Sequence, residues 1–348
     1  MFNCFLKLCY INKERKNIPV FFSGKRQCEK LNSKPKLLVI IGPTAVGKTR
    51  LSIELAKKFN GEIISGDSMQ IYRGMDIGTA KITQQEMEGI PHHLIDIKEP
   101  EENFSVAEFQ MMVRDKINKI AQKGKLPIIV GGTGLYIQSV IYDYQFSDVT
   151  GDEAFRADLE EKAKQIGKDA LHRELQEVDP ESAAQIHPNN VRRVIRALEV
   201  YHLTGKKINE YQKTQQPDLL YETALIGLTM DREQLYQRIN TRVDIMLKEG
   251  LTAEVEGLYK RGLRNCQSIQ AIGYKEIYDY FDGKVTFEQA VENLKQNSRR
   301  YAKRQLTWFR NKMEVEWFDM TNVNNFSKKI TEISLYVEGK LQVKSNTY

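Results

Sequence analysis

The amino-acid sequence predicts an α/β fold in which helices flank a parallel sheet and an all-helical subdomain is inserted. Short apolar runs with the length of buried strands recur at 37–41, 126–130 and 223–228, and helical patterns separate them. Between about 150 and 215 the pattern is helical, with proline breaks and no convincing strand. Alternating strands and helices favour a parallel sheet, and a purely helical block between sheet elements indicates an insertion.

These patterns divide the chain into three parts. We expect residues 36–150 and 216–330 to form the α/β core with its C-terminal helices, and residues 151–215 to form the helical insertion. Residues 1–35 form a basic N-terminal extension: residues 1–36 hold nine Lys or Arg against two Glu, whereas the whole chain carries a net charge of +6. We expect this extension to be a disordered tail, with an organellar targeting peptide as the alternative. The remaining chain is nearly neutral, so net charge alone does not indicate RNA binding.

Composition argues against two further classes of protein. No apolar run approaches the roughly 20 residues that a membrane-spanning helix needs. The four cysteines show no C-x-x-C spacing, which speaks against a disulfide framework or a zinc site and fits a reducing compartment. We therefore expect a cytoplasmic protein.

The stretch after the first predicted strand has the G-x-x-x-x-G-K-[ST] pattern of a phosphate-binding loop. Gly42 and Gly47 permit backbone conformations in which consecutive N–H groups face an anion. The following helix adds its positive dipole end, Lys48 adds a mobile charge, and the Thr49 hydroxyl can ligate Mg²⁺. The pattern thus predicts a P-loop NTPase-like core whose ligand-binding loop consists of Gly42, Pro43, Thr44, Ala45, Val46, Gly47, Lys48 and Thr49.

The next predicted strand places a carboxylate close to this loop. The helix after the loop ends at Asn60-Gly61, and the stretch 62–72 then reads as a short strand that runs into a polar turn containing Asp67. Because the carboxyl ends of parallel strands face one crevice, Asp67 should lie near the phosphate loop. An ordinary turn aspartate is the alternative interpretation. Further along, His92 and His93 would point to opposite faces of an extended segment, so we expect them to be structural rather than metal ligands.

The third predicted strand lacks the acidic residue of an ATPase. An amphipathic helix at 104–122, with Ser105 as its cap, precedes the buried strand at 126–130. That strand runs into the flexible turn Gly131-Gly132-Thr133, which bears a hydroxyl but no carboxylate. A phosphate-loop ATPase would carry its Walker B aspartate here, so the sequence weakens that interpretation.

Arginines recur at helical spacing in the second half of the chain. Arg192 and Arg196 share one face of a predicted helix, and Arg238 and Arg242 share a face of another. Either pair could bind phosphates or could simply be solvated. A long predicted helix at about 286–312 interleaves basic and aromatic residues, a pattern that suits looped or single-stranded nucleic acid.

Taken together, the motifs resemble those of the tRNA dimethylallyltransferases, also called tRNA isopentenyltransferases, of the bacterial type. The resemblance covers about residues 36–320 and its motifs occur in the family's order. They are Gly-Pro-Thr-Ala-Val-Gly-Lys-Thr at 42–49, Ser-Gly-Asp-Ser-Met-Gln-Ile-Tyr at 65–72, Gly-Met-Asp-Ile-Gly-Thr-Ala-Lys at 74–81, Pro-His-His-Leu-Ile-Asp at 91–96, Gly-Gly-Thr-Gly-Leu-Tyr at 131–136, Arg-Arg-Val-Ile-Arg-Ala-Leu-Glu at 192–199 and Lys-Arg-Gln-Leu-Thr-Trp-Phe-Arg at 303–310.

The resemblance implies transfer of a dimethylallyl group from dimethylallyl diphosphate to N6 of the tRNA adenosine just 3′ of the anticodon, adenosine-37. In the family the general base matches Asp67, while the phosphate loop holds the diphosphate with the arginine at Arg242 and with Mg²⁺ near Thr49. A carboxylate is suited to this role because the lone pair of adenine N6 is delocalised and gains reactivity as a proton is removed. The family's contacts to tRNA match Asp67, Ser68, Met69, Gln70, Thr133, Arg156, Arg192, Arg193, Val194, Ile195 and Arg196.

By the same resemblance the partners are dimethylallyl diphosphate and the anticodon stem-loop of tRNA, and the protein is expected to be a monomer. Three alternatives remain at this point. An adenylate isopentenyltransferase would modify free AMP, ADP or ATP and would not need the helical insertion. A nucleoside kinase would use the same loop for ATP, and a non-catalytic RNA-binding module would leave Lys48, Thr49 and Asp67 unexplained.

Overall fold

The computed structural model describes residues 34–144, 152–207, 218–322 and 326–346. Nearly all of the predicted N-terminal extension therefore lies outside the described residues. Among the helices in these ranges, none combines the length and the apolar character needed to cross a membrane.

A single sheet of six parallel strands, counted over the described residues, forms the centre of the protein. Its strands in chain order are β1 (Lys36–Ile41), β2 (Gly61–Ser65), β3 (His92–His93), β4 (Leu126–Gly131), β5 (Glu222–Thr229) and β6 (Glu316–Asp319). Their spatial order is β3-β2-β4-β1-β5-β6, and every pairing is parallel. β1 occupies the middle, with Leu38 in register with Ile128 on one side and with Ala224 on the other. The parallel α/β sheet expected from the sequence is thus confirmed.

Twelve α-helices accompany the sheet in the described part of the chain. They are α1 (Lys48–Lys58), α2 (Val106–Gln122), α3 (Gly134–Ile141), α4 (Glu153–Ile166), α5 (Lys168–Val178), α6 (Pro180–Gln185), α7 (Val191–Thr204), α8 (Arg232–Lys248), α9 (Leu251–Lys260), α10 (Tyr274–Phe281), α11 (Phe287–Lys312) and α12 (Phe326–Leu341). The predicted cap of α2 is confirmed, because the Ser105 hydroxyl accepts a hydrogen bond from the Glu108 N–H at 3.1 Å. The long helix expected at about 286–312 is α11.

Both faces of the sheet are covered, which explains why its strands read as continuous apolar runs. In β1, Leu37 and Val39 pack on one face against residues of α2, α3, α9 and α10. Leu38 and Ile40 pack on the other face against residues of α1 and α12. Full burial of a side chain of this size stabilises the fold by about 1.5–3 kcal/mol. The sheet is therefore a rigid base for the loops at its carboxyl edge.

The four helices α4 to α7 form an all-helical subdomain with an apolar core of its own. Side chains from all four helices meet in this core, and they are Leu159, Leu171, Leu175, Ala183, Val194, Ile195, Ala197 and Leu198. The α6 helix begins at Pro180, and the side chain of its cap Asp179 accepts from the Ser182 N–H at 3.0 Å. The subdomain accounts for residues 153–204 of the segment that the sequence predicted to be an insertion.

Candidate functional site

The carboxyl ends of β1, β2 and β4 converge on one crevice, as expected for a parallel sheet. The phosphate loop follows β1, the turn with Asp67 follows β2, and the turn with Thr133 follows β4. α8 brings Arg242 to the same region, where its charge acts on both Asp67 and Lys48. The sequence-predicted loop, base and cation therefore come together in space.

The phosphate loop has the backbone that its glycines predict. Gly47 adopts a φ of 103° and caps α1 in the left-handed region, where a residue with a Cβ is strained. Gly42 has a φ of 150°, and a Cβ there would lie 2.8 Å from the Leu228 carbonyl oxygen. Ala45 is left-handed as well, with a φ of 65°, although it is not glycine. A non-glycine residue in this region costs roughly 1–2 kcal/mol, so the surrounding contacts must hold the loop in shape.

Lys48 lies over the loop with its ammonium group turned back onto the backbone. Its Nζ donates to the carbonyl oxygens of Gly42 at 3.0 Å and Pro43 at 2.7 Å. Burial and then the positive charge of Arg242 lower the pKa of Lys48 to about 7, against the opposing effect of Asp67. A bound anion would supply the missing negative charge and favour the protonated amine.

Arg242 is the second cation of the crevice. Burial lowers the pKa of its guanidinium, while the negative charges of Glu86 and Asp67 act in the opposite direction. No carboxylate of the described residues lies within ion-pair distance of Arg242. Because a partly buried arginine without a carboxylate partner is costly, an anionic ligand would be the natural counter-ion.

Arg238 lies one turn before Arg242 on α8 and borders a separate small cavity. Val46 and Gly47 of the phosphate loop and Arg50 of α1 also line this cavity. Spacing alone left open whether the two arginines of α8 reach the loop, and the structure places both beside it.

Asp67 has the surroundings of a carboxylate that can accept a proton. Its Oδ1 accepts a hydrogen bond from the Met69 N–H at 2.8 Å. Burial raises the pKa of Asp67, whereas the bond from Met69 and the charge of Lys48 act to lower it. The net shift is upward, which brings the carboxylate closer to the range in which a general base works near neutral pH.

Neighbouring residues join the turn after β2 to the turn after β4. The Ser68 N–H donates to the Thr133 hydroxyl at 3.3 Å, so the two predicted nucleotide contacts lie side by side. The Gln70 amide is engaged inside the protein, where it accepts from the Ser65 hydroxyl at 3.0 Å and donates to the Thr79 carbonyl at 3.4 Å. Met69 is partly buried and packs against the main core.

The predicted tRNA contacts of the helical subdomain fall into two groups. Arg156 and Arg196 both bind Glu199, each at 2.6 Å and each on a different carboxylate oxygen, although Glu199 itself is fully buried. The side chains of Arg192 and Arg193 are exposed and form no hydrogen bond or ion pair within the described part of the chain.

The two apolar residues between these arginines point inward. Val194 is 1% exposed and Ile195 is 3% exposed, and both belong to the core of the subdomain. Their side chains support the helix that presents the arginines.

Sequence reasoning missed two long-range connections to this site. The carboxylate of Glu254, on α9, accepts hydrogen bonds from the N–H groups of Asp76, Ile77 and Gly78 at 2.8–3.0 Å. Gln305, on α11, contacts both the phosphate loop and the turn after β4. Neither residue has a local signal in the sequence, because each acts on partners far along the chain.

One of the aromatic residues of α11 lies inside the protein core. Phe309 is fully buried in the main core, and the Trp308 ring packs so closely on Gly134 that a Cβ there would lie 2.2 Å from it. Base stacking through Phe309 is therefore ruled out. Tyr301 and Trp308 are partly buried, whereas the side chains of Arg300, Lys303, Arg304 and Arg310 are exposed.

The two adjacent histidines each contact a group within the protein. His93 contacts the Glu62 carboxylate at 2.7 Å, and His92 contacts the Ile90 carbonyl at 2.8 Å. Over the described residues, no group of three or more His, Cys, Asp or Glu side chains could hold a metal ion.

Comparison with known proteins connects this geometry with one family. A family profile described as "IPP transferase" matches residues 70–312. The chain is 67% identical over 311 residues to a tRNA dimethylallyltransferase of Geobacillus thermodenitrificans, which covers 89% of this chain and 99% of that protein. It is also 67% identical over 311 residues to one of Bacillus cereus strain Q1, with 89% of this chain and 97% of that protein covered.

Solved structures give the same connection. The structure of a tRNA isopentenylpyrophosphate transferase of Bacillus halodurans is similar with a TM-score of 0.69 and 58% identity, over 89% of this chain and 97% of that one. A eukaryotic dimethylallyltransferase acting on tRNA is similar with a TM-score of 0.76 and 32% identity, over 90% of this chain and 81% of that one.

Proposed function

The chain belongs to the IPP transferase family, and from that premise we propose that it transfers the dimethylallyl group of dimethylallyl diphosphate to tRNA. The acceptor is N6 of adenosine-37, just 3′ of the anticodon, and the products are N6-(dimethylallyl)adenosine and diphosphate. The observation that carries this proposal is the position of Asp67 beside two cations, Lys48 and Arg242, whose charges are not matched by an ion-paired carboxylate. A base beside a pair of cations is what a prenyl transfer from a diphosphate requires.

The reaction exchanges two bonds. A bond forms between adenine N6 and C1 of the allyl group, while the bond between C1 and the diphosphate oxygen breaks. The proton leaves N6 for Asp67, whose raised pKa favours proton uptake. The electron pair of the broken bond stays on the diphosphate.

The developing charge on the leaving group is met by groups already in place. The N–H groups at the start of α1 and its positive dipole end face the phosphate loop. Lys48 would exchange the carbonyl oxygens of Gly42 and Pro43 for diphosphate oxygens, and Arg242 would approach the same anion. Such preorganised charges stabilise a transition state because they need no reorientation as the bond breaks.

Mg²⁺ fits this site through Thr49. The Thr49 side chain is exposed in the first turn of α1, and its hydroxyl forms no hydrogen bond within the described residues. One hydroxyl suits Mg²⁺ because this ion keeps several waters and binds substrate phosphates rather than a cage of protein carboxylates. When bound, the ion would add positive charge to the diphosphate.

The acceptor adenosine must leave its stack to reach Asp67, which costs a few kcal/mol and less in a loop than in a duplex. Ser68 follows Asp67 in the chain and contacts Thr133, and both residues would contact the extruded nucleotide. Arg192, Arg193 and the pair of arginines on Glu199 would contact the RNA backbone. We also propose that the enzyme acts in the cytoplasm as a monomer, which is the simplest arrangement for a site built within one chain.

A transfer assay tests the proposal. Radiolabelled dimethylallyl diphosphate and Mg²⁺ are incubated with the protein and unmodified tRNA, or separately with AMP and ATP. We expect label in tRNA alone, and none when adenosine-37 is replaced by another nucleoside. Label in the free nucleotides would instead assign the protein to the adenylate isopentenyltransferases, and absence of label from all acceptors would overturn the prenyl transfer.

A further inference from the structure

Gln305 connects two loops that are far apart in the sequence. Its side chain is 5% exposed and reaches from α11 into the gap between the phosphate loop and the end of β4. The Oε1 atom accepts from the Thr44 N–H at 3.0 Å, and Nε2 donates to the Gly132 carbonyl at 3.0 Å. One amide thus satisfies a donor on one loop and an acceptor on the other.

We propose that Gln305 is a positioning residue that holds the phosphate loop in its ligand-binding shape. The inference rests on the proposed function, because it takes the diphosphate of the substrate as the ligand of that loop. Gln305 itself touches neither reacting atom, and it acts through Thr44.

The backbone after Thr44 shows why the loop needs such a support. Ala45 has a φ of 65°, in the left-handed region that residues with a Cβ rarely adopt. Strain of this kind persists only where surrounding contacts fix the backbone on both sides. The Thr44 N–H is fixed by Gln305, and Val46 is buried at 1% exposure on the other side. The N–H groups from Ala45 onward then remain for the anion.

Gly132 leaves room for the side-chain amide of Gln305 because it has no Cβ. A Cβ on residue 132 would lie 2.0 Å from Nε2 of Gln305, a distance at which something must move. Gly132 therefore permits the close approach through which Gln305 is anchored to the sheet. Gly132 directly follows β4, which pairs with β1, so Gln305 is anchored at the carboxyl end of the sheet.

Tyr301 extends the connection toward the acceptor side of the site. It lies one turn before Gln305 on α11, and burial raises the pKa of its hydroxyl to about 12 while the side chains of Thr133 and Gln305 act to lower it. Thr133 in turn accepts from the Ser68 N–H next to Asp67. α11 therefore holds both the loop for the diphosphate and the turn that faces the acceptor.

The test compares Gln305→Met with Gln296→Met, an exposed glutamine of the same helix that makes no contact with either loop. Methionine preserves the length of the side chain and the helix propensity while it removes the amide. Binding of magnesium pyrophosphate and of unmodified tRNA is measured separately by calorimetry on the full chain. We expect Gln305→Met to raise the Kd of pyrophosphate by about tenfold, equivalent to ~1.4 kcal/mol, and the Kd of tRNA by less than about twofold.

Two further measurements separate positioning from general destabilisation. Amide exchange over residues 42–49 should quicken in Gln305→Met, while exchange over α12 stays as in the unmodified protein. Tyr301→Phe, which keeps the ring and loses only the hydroxyl, should raise the Kd of pyrophosphate by less than Gln305→Met does.

The outcomes are distinct. Unchanged pyrophosphate binding in Gln305→Met, or equal weakening of pyrophosphate and tRNA binding, overturns the proposal. If the unmodified protein transfers no label to tRNA yet its affinity for pyrophosphate depends on Gln305, the proposed function fails and the positioning role stands. Failure of the unmodified protein to bind pyrophosphate overturns both.

Discussion

The hydroxyl of Tyr274 donates a hydrogen bond to the Glu254 carboxylate at 2.6 Å, and this pair orders the loop beside the candidate base. The ring of Tyr274 packs so tightly on the loop that a Cβ on Gly78 would lie 2.5 Å from it. The carbonyls of Thr79 and Ala80, directly after this contact, accept hydrogen bonds from the Gln70 amide. Glu254 on α9 and Tyr274 on α10 therefore hold this loop in place. The loop in turn binds Gln70, which belongs to the turn that contains Asp67.

Removal of the Glu254 carboxylate should lower the stability of the protein. Glu254→Ala leaves the N–H groups of residues 76–78 and the Tyr274 hydroxyl without their acceptor, so we expect the free energy of unfolding to fall by about 2–4 kcal/mol. Urea denaturation measures this change. Glu256→Ala is the matched control, because Glu256 forms only an exposed ion pair with Lys260 on the same helix and should change stability by less than about 0.5 kcal/mol. Equal effects of the two substitutions would contradict the role of Glu254.

Asp67 should be required for turnover and not for the binding of tRNA. We expect Asp67→Asn to lower kcat by about 10²–10⁴-fold, because the amide cannot take the proton from N6. Gel-shift titration should show tRNA affinity within a few-fold of the unmodified protein.

The Asp67 carboxylate should also determine how the reaction rate falls at acidic pH. The carboxylate is the active form, and its pKa is raised above 3.8, so activity should be lost on acidification at a higher pH than an ordinary aspartate would give. A rate of single turnover that stays flat down to pH 4 would contradict Asp67 as the base.

Diphosphate binding should be coupled to the protonation of Lys48. Its pKa of about 7 in the free protein means that much of the amine is neutral at pH 8, whereas an anion beside it favours the charged form. We expect pyrophosphate binding at pH 8 to take up protons, and to weaken as pH rises through 7. Calorimetry in buffers of different ionisation enthalpy measures the uptake, and Lys48→Met provides the reference because pyrophosphate itself also titrates. Identical proton uptake in the two proteins would show that Lys48 does not titrate on binding.

Arg242 should serve the donor substrate alone. We expect Arg242→Ala to lower kcat/KM for dimethylallyl diphosphate by about 10²-fold or more, because it removes a partly buried positive charge from beside the leaving group. The affinity for tRNA should change by less than about twofold. Arg232→Ala is the control on the same helix, where Arg232 is exposed and lies 5.3 Å from the Tyr236 ring. Steady-state kinetics with each substrate varied in turn would reveal an equal loss for both substrates, which would contradict this assignment.

The sequence predicted those parts of the site whose physical requirements are local. Each position of the phosphate loop has its own backbone or charge requirement, so Gly47 and Lys48 are recognisable without a structure. The nearness of Asp67 followed from a general property of parallel sheets. The predicted roles of the tRNA-contacting residues are still predictions.

The rest depended on contacts between distant parts of the chain. Gln305 lies 261 positions from Thr44, and nothing in its neighbourhood distinguishes it from an ordinary helical glutamine. The basic and aromatic pattern of α11 did not show which face is buried, and Phe309 proved to be a core residue. The strand expected near His92 has only two residues, because β3 pairs with β2 at just two positions.

The exposed arginines of α7 should contribute to tRNA affinity through charge alone. Arg192 and Arg193 have no carboxylate partner within the described residues, so their substitution leaves no buried charge behind. We expect Arg192→Ala to weaken tRNA binding about equally for all substrate tRNAs and to reduce the slope of log K against log salt by about one. The free energy of unfolding should stay within about 0.5 kcal/mol.

Arg156→Ala should differ from Arg192→Ala, because it leaves the buried Glu199 with only one of its two arginines. This variant should therefore lose stability as well as affinity for tRNA. Filter binding over a range of salt concentrations, with urea denaturation of both variants, measures these effects. Arg261→Ala, which removes a surface arginine paired with Glu101, is the control for a general loss of positive charge. If Arg192→Ala and Arg261→Ala lower the salt slope equally, then α7 has no special part in holding tRNA.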